Sequence, residues 1–127
     1  MPHPETSQTK ILLIDDDPLI ARTVMSLLER NGYRVTCVNN ADEGISSAVN
    51  EDFNLIISDI RMPGKNGVKA MEEIRQNFKD KSKKEIPIIF ITGYSDDAVL
   101  LNAEGIGEVI LKPFDANRFL MTILEYL

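Results

Sequence analysis

A chain of 127 residues is long enough for one domain with a buried core, and its apolar runs of four to six residues are too short for a membrane-spanning helix. The net charge is −6, which argues against binding a phosphate backbone. Cys37 is the single cysteine, so neither a disulfide framework nor a zinc quartet is available.

Residues 1–9 (MPHPETSQT) are polar, hold two prolines and read as a flexible tail. The tail has no apolar signal region, so the expected location is cytoplasmic. His3 stands alone there and has no partner for metal binding. The first predicted strand is KILLID, 10–15, and it runs into Asp15, Asp16 and Asp17. Asp17-Pro18 then supplies a helix cap followed by proline at the first helical position. Ile20, Val24, Leu27 and Leu28 form a helical stripe. YRVTCV, 33–38, is the second strand, with Cys37 read as a small core residue. A short helix is expected over 42–50. FNLIISD, 53–59, is the third strand and ends in Asp59. Val68, Met71, Ile74 and Phe78 form the next stripe. KDKSKKE, 79–85, reads as a solvated loop. IPIIFIT, 86–92, ends in Thr92-Gly93, and a short helix follows over 96–104. EVILK, 108–112, ends in Lys112-Pro113. Asp115 caps a last helix running to Leu127.

Five strand-then-helix repeats predict an α/β fold, a parallel sheet with helices on both faces. The near-continuous apolar strands fit burial on both sides. Ligands of such sheets bind beyond the carboxyl ends of the strands. Read there, the strand ends bring together Asp15, Asp16, Asp17, Asp59, Thr92 and Lys112. Carboxylates gathered without a cation raise one another's pKa. A hard divalent ion such as Mg²⁺ removes the conflict, and it takes oxygen ligands. Asp59 beside such an ion could act as a nucleophile, with Lys112 and Thr92 meeting an incoming phosphoryl group.

The ordered set IDDDP (14–18), LIISDIRMPGKNG (55–67), FITG (90–93) and LKPF (111–114) resembles the receiver domain of two-component response regulators. The match runs from about Lys10 to Leu127. The resemblance implies a three-layer, doubly wound, flavodoxin-like (βα)5 fold with strand order 2-1-3-4-5, formed by a receiver domain over 10–127. It implies that Asp59 accepts a phosphoryl group from a sensor histidine kinase or a histidine phosphotransfer protein. Such a chain is a signalling phosphoacceptor rather than an enzyme, although it promotes its own phosphorylation and dephosphorylation. Mg²⁺ would be held by Asp16, Asp59 and the Arg61 backbone carbonyl, with Asp15 assisting through water. Thr92 would be the switch hydroxyl and Lys112 the bridge to the phosphoryl group. Lys112-Pro113 resembles the family's cis peptide. Met62, Pro63 and Gly64 would shape the loop after the acceptor, and Gly67 the start of the third helix. No nucleic acid and no membrane are implied as partners; the output protein is unnamed.

Four features stand out against the family pattern. Val109 stands where an aromatic often occurs, three before Lys112, so a ring-flip readout is absent there. Tyr94 is near the site and could either modulate it or be a surface tyrosine. The segment from Thr92 to Lys112 is short, which predicts a short or tilted fourth helix. The last helix carries Phe119, Leu120, Met121, Ile123, Leu124, Tyr126 and Leu127, more than one apolar stripe, and its excess is a candidate surface for an output partner or self-association.

Other readings were weighed. A haloacid dehalogenase-type phosphatase also opens on Asp-x-Asp, as in Asp15 and Asp17, but Leu19 replaces its usual threonine. A receiver-like interaction module without phosphorylation leaves the acidic cluster without a purpose. The chain could also be the receiver of a longer hybrid histidine kinase, although the initial Met and polar tail favour a stand-alone protein.

Overall fold

The computed structural model describes residues 9–93 and 97–127; most of the expected tail, with His3, and Tyr94 lie outside the described residues. The elements follow the expected alternation: β1 (Lys10–Ile14), α1 (Pro18–Arg30), β2 (Arg34–Val38), α2 (Ala41–Asn50), β3 (Leu55–Asp59), α3 (Gly67–Asp80), β4 (Ile88–Thr92), α4 (Asp97–Glu104), β5 (Glu108–Leu111) and α5 (Ala116–Glu125). All strand pairs are parallel, in the order β2-β1-β3-β4-β5. This is the flavodoxin-like arrangement, and its order reverses direction next to β1.

Side chains alternate between the two faces of each strand, and the sequence supplies apolar groups to both. On one face Leu12, Ile14, Ile56 and Phe90 meet Ala48 of α2 and Val68, Met71, Ile74 and Phe78 of α3. On the other, Ile11, Leu13, Ile57, Ile89 and Ile91 meet Val24 and Leu28 of α1 and Phe119 and Ile123 of α5. The helical stripes read from sequence are therefore the buried faces of α1 and α3. Asp17, Asn40, Asn66 and Asp115 cap α1, α2, α3 and α5 by accepting backbone amides of the first turn.

Two expectations need correction. Cys37 is exposed, not in the core. It lies on β2, an edge strand, so the cover that a central strand receives is incomplete there. The charged run 79–85 is not all loop: Lys79 and Asp80 close α3. Beyond them Lys83 folds back, its ammonium 4.5 Å from the Phe78 ring centroid and 3.3 Å from Asp52.

The short fourth helix is as expected, eight residues long. Its return to β5 depends on Gly107. A Cβ placed there would overlap the Ile88 carbonyl of β4, whereas one at Gly105 would make ordinary contacts with the Asn102 and Leu101 carbonyls. Gly107→Ala should therefore lower stability by about 1–3 kcal/mol, while Gly105→Ala should leave it nearly unchanged. Urea unfolding midpoints of the two variants measure the difference.

Candidate functional site

Each site residue stands at the carboxyl end of a strand or just beyond it. β1 delivers Asp15 and Asp16, β3 delivers Asp59, β4 delivers Thr92, and Lys112 follows β5. β1, β3, β4 and β5 are successive neighbours in the sheet, so residues far apart in sequence share one edge. Asp15, Asp59 and Thr92 are buried, whereas Asp16 is exposed.

The triple aspartate divides its tasks. The Asp15 amide donates to the Val38 carbonyl at 3.1 Å, and Asp15 Oδ1 accepts from the Asp17 amide at 2.9 Å. Asp17 turns away to cap α1, accepting from the Leu19 amide at 2.9 Å. Carboxylate oxygens of Asp15, Asp16 and Asp59 lie within 4.8 Å of one another. Asp17 is not in that group. Lys112 reaches into it: its Nζ is 3.4 Å from Asp59 Oδ2 and 3.6 Å from Asp15 Oδ2. The peptide Lys112-Pro113 is cis, and the Lys112 amide donates to the Thr92 carbonyl at 2.8 Å.

One lysine does not balance three carboxylates. Burial pushes the Asp15 carboxyl up to about 6; the nearby Asp59 and Asp16 charges add to this, while the Asp17 amide and Lys112 oppose it. Burial also raises Asp59, against Lys112 and the Arg61 and Ile60 amides. The Arg61 amide lies 3.3 Å from Asp59 Oδ1. Asp15 Oδ2 is buried and receives no hydrogen bond. An all-oxygen donor set with excess negative charge and an unsatisfied buried oxygen fits a hard divalent cation such as Mg²⁺. Exposed Asp16 leaves the site open on one side, where an ion could keep some of its water.

Beside the cluster, a cleft of about 560 Å³ is lined by Arg61, Met62, Pro63 and Asn66 of the loop after Asp59, and by Val99 of α4. The entry of α3 beside Asp59 depends on Gly67, where a Cβ would overlap the Asp59 carbonyl. Gly64 in the same loop has φ +79°, which favours glycine. Sequence reading missed two residues here. Asn66 caps α3 by accepting the Lys69 amide at 2.9 Å, and its position just before the apolar stripe was the available signal. Ser58 is fully buried and donates to the Asp59 carbonyl at 2.8 Å; nothing in its spacing marks it.

The family model of the response regulator receiver domain matches residues 11–124. The transcriptional regulatory protein ResD of Bacillus subtilis is 31% identical over 121 residues, which span 94% of this chain but 48% of ResD. The chain thus covers about half the length of that relative. Protein PilH of Pseudomonas aeruginosa is 33% identical over 116 residues, 90% of this chain and 93% of PilH. Among solved structures, the receiver domain of sensor histidine kinase PA1611 from Pseudomonas aeruginosa PAO1 superposes with a TM-score of 0.81 at 27% identity, covering 93% of this chain and 96% of that one. That structure holds a magnesium ion coordinated in its active-site cleft.

The raised Asp15 value has a sign that can be checked. Its folded pKa, about 6, lies above the ordinary 3.8, so the folded state binds the proton more tightly than the unfolded chain. Without metal, this group's contribution to stability falls as pH rises from about 4 to about 6 and stays low above that. At pH 7.5 without metal, Asp15→Asn should be more stable than the parent, by at most about 3 kcal/mol. The gap should narrow at pH 4.5. Added Mg²⁺ should raise the parent's melting temperature more than the variant's, which keeps the directly coordinating groups but loses one charge and its water-mediated contact. Calorimetry with and without Mg²⁺ provides both comparisons.

Proposed function

The chain belongs to the response regulator receiver domain family, and from that membership we propose that Asp59 is its phosphoacceptor. The observation that carries the reading is the Lys112 ammonium seated between Asp59 and Asp15 in a buried acidic cluster. Asp59 would attack the phosphorus of a phosphohistidine on a sensor histidine kinase or phosphotransfer protein. The new bond forms at an Asp59 oxygen as the phosphorus–nitrogen bond breaks and the imidazole departs. Lys112 would meet the negative charge of the transferring group, and the buried Thr92 hydroxyl would donate to one of its oxygens. Asp16, Asp59 and the Arg61 carbonyl would hold Mg²⁺ directly and Asp15 through water. The bound ion would supply charge neutralisation at the phosphoryl oxygens. The same residues would then support hydrolysis of the acyl phosphate by water.

The dehalogenase-type reading has no remaining support. Asp17, the second carboxylate of its motif, is committed to the cap of α1. The stand-alone and hybrid-kinase readings differ only in what else the chain is attached to. In either, the receiver unit spans 10–127 and works in the cytoplasm. No described helix is long and apolar enough to cross a membrane.

Phosphorylation would shift a two-state equilibrium and alter a partner-binding face. The exposed Leu111, Met121 and Leu124 are candidates for that face, and an output protein or a second copy would cover them. If a second copy does, Met121→Asp should abolish a concentration-dependent rise in sedimentation coefficient of the phosphorylated chain. A parent that stays monomeric at all concentrations counts against self-association.

The central reading is tested by incubating the chain with acetyl phosphate and Mg²⁺ and weighing it intact. One phosphoryl group should be gained by the parent and none by Asp59→Asn. Lys112→Ala should take it up about tenfold or more slowly. An equal gain in Asp59→Asn overturns the assignment.

A further inference from the structure

We propose that Ser58 is a positioning residue for phosphoryl transfer, acting through the Asp59–Ile60 peptide; this rests on Asp59 being the phosphoacceptor. Ser58 is an odd residue for its place. Its neighbours in register are Ile14 on β1 and Phe90 on β4, both in the apolar layer beneath α2 and α3. Ser58 is fully buried in that layer. A buried hydroxyl is costly unless it is hydrogen-bonded. Ser58 Oγ donates to the carbonyl of the next residue, Asp59, at 2.8 Å.

That carbonyl is confined from the other side. A Cβ at Gly67 would overlap it and stand 3.0 Å from Ser58 Oγ. The first residue of α3 therefore closes over the Ser58–Asp59 pair, and the Gly67 amide donates to the neighbouring Ile60 carbonyl at 2.8 Å. The loop's departure from β3 is thus gripped at two successive carbonyls, one by a side chain and one by the α3 backbone.

The Asp59 carbonyl and the Ile60 amide belong to one planar peptide unit. Fixing the oxygen at one end fixes the N–H at the other. The Ile60 amide is one of the groups that steady the Asp59 carboxylate. The Arg61 amide follows at 3.3 Å from Oδ1. Ser58 touches neither carboxylate nor cation, yet it sets the tilt of the peptide whose N–H faces the reacting group. Orientation errors well below a bond length cost rate in such sites.

The test uses ¹⁵N-labelled protein and acetyl phosphate. In Ser58→Ala, free of metal and phosphate, the Ile60 amide proton resonance should move upfield relative to the parent. Phosphoryl uptake at saturating Mg²⁺ should slow by about five- to tenfold, with the half-saturating Mg²⁺ concentration changed by less than about twofold. Ser58→Thr, which keeps the hydroxyl, should restore both the resonance and the rate. A purely structural serine would lower the melting temperature without moving the Ile60 amide. Where Ser58→Ala does not fold, Ser58→Cys replaces it and should show the same slowing. An unmoved Ile60 resonance, or a moved one with parental uptake, overturns the proposal. If the parent itself takes up no phosphoryl group, the phosphoacceptor reading fails instead, and the Ile60 resonance still decides whether Ser58 fixes this peptide.

Discussion

Everything at the functional edge follows from three carboxylates, two of them buried, sharing one ammonium. Asp15, Asp16 and Asp59 lie within 4.8 Å of one another, and Lys112 Nζ sits 3.4 Å from one and 3.6 Å from another. A carboxylate in that position is held at a cost to folding, which the raised Asp15 value expresses. The same imbalance, with its all-oxygen donor set, is what a hard divalent ion would relieve. A surface cluster of the same charges, screened by water, would need that relief less.

The sheet order makes the cluster possible. Lys112 follows β5 and Asp15 follows β1, yet only β3 and β4 lie between those two strands. The long lysine side chain bridges that width. Parallel strands put all four ends at the same edge, and α3 can begin against β3 because Gly67 presents no side chain to the Asp59 carbonyl. Helix caps then set where each connection stops. Asp17 and Asn66 both accept amides in the first turn after a site loop, so the loops that carry Asp15, Asp16 and Arg61 end at fixed points.

Most of this was legible in the sequence because it is carried by strong local signals. Apolar runs of strand length, helical stripes and cap residues marked every element to within a few residues, and reading the strand ends in order named the whole cluster. Failures came where a residue's role depends on its neighbours in space. Cys37 sits in an apolar run like those of the central strands, but β2 is at the edge and its run is only half covered. Lys79 and Asp80 read as loop by charge, but the packing of Phe78 and the rest of the stripe carries α3 through them. Ser58 looked like any small residue before an aspartate; the role proposed for it depends on Gly67 approaching from nine residues downstream.

Val109 limits how a change at Asp59 can be passed on. It packs, partly buried, against the core layer shared with α4, and a β-branched side chain in a strand has few alternative rotamers. It therefore offers no inward and outward positions of the kind a ring provides. Backbone contacts connect Thr92 to the surface. The Lys112 amide is bonded to the Thr92 carbonyl, and Thr92 pairs in register with Leu111, whose side chain is half exposed. Phe114, just past the cis Lys112-Pro113 peptide, stacks on Phe119 of α5 with ring centroids 4.7 Å apart. A displacement of Thr92 or Lys112 would have a short covalent and hydrogen-bonded path to α5, the helix that carries the exposed Met121 and Leu124. If the site is coupled to the surface, β5 and the segment that follows it offer a route that Val109, which carries no ring, does not.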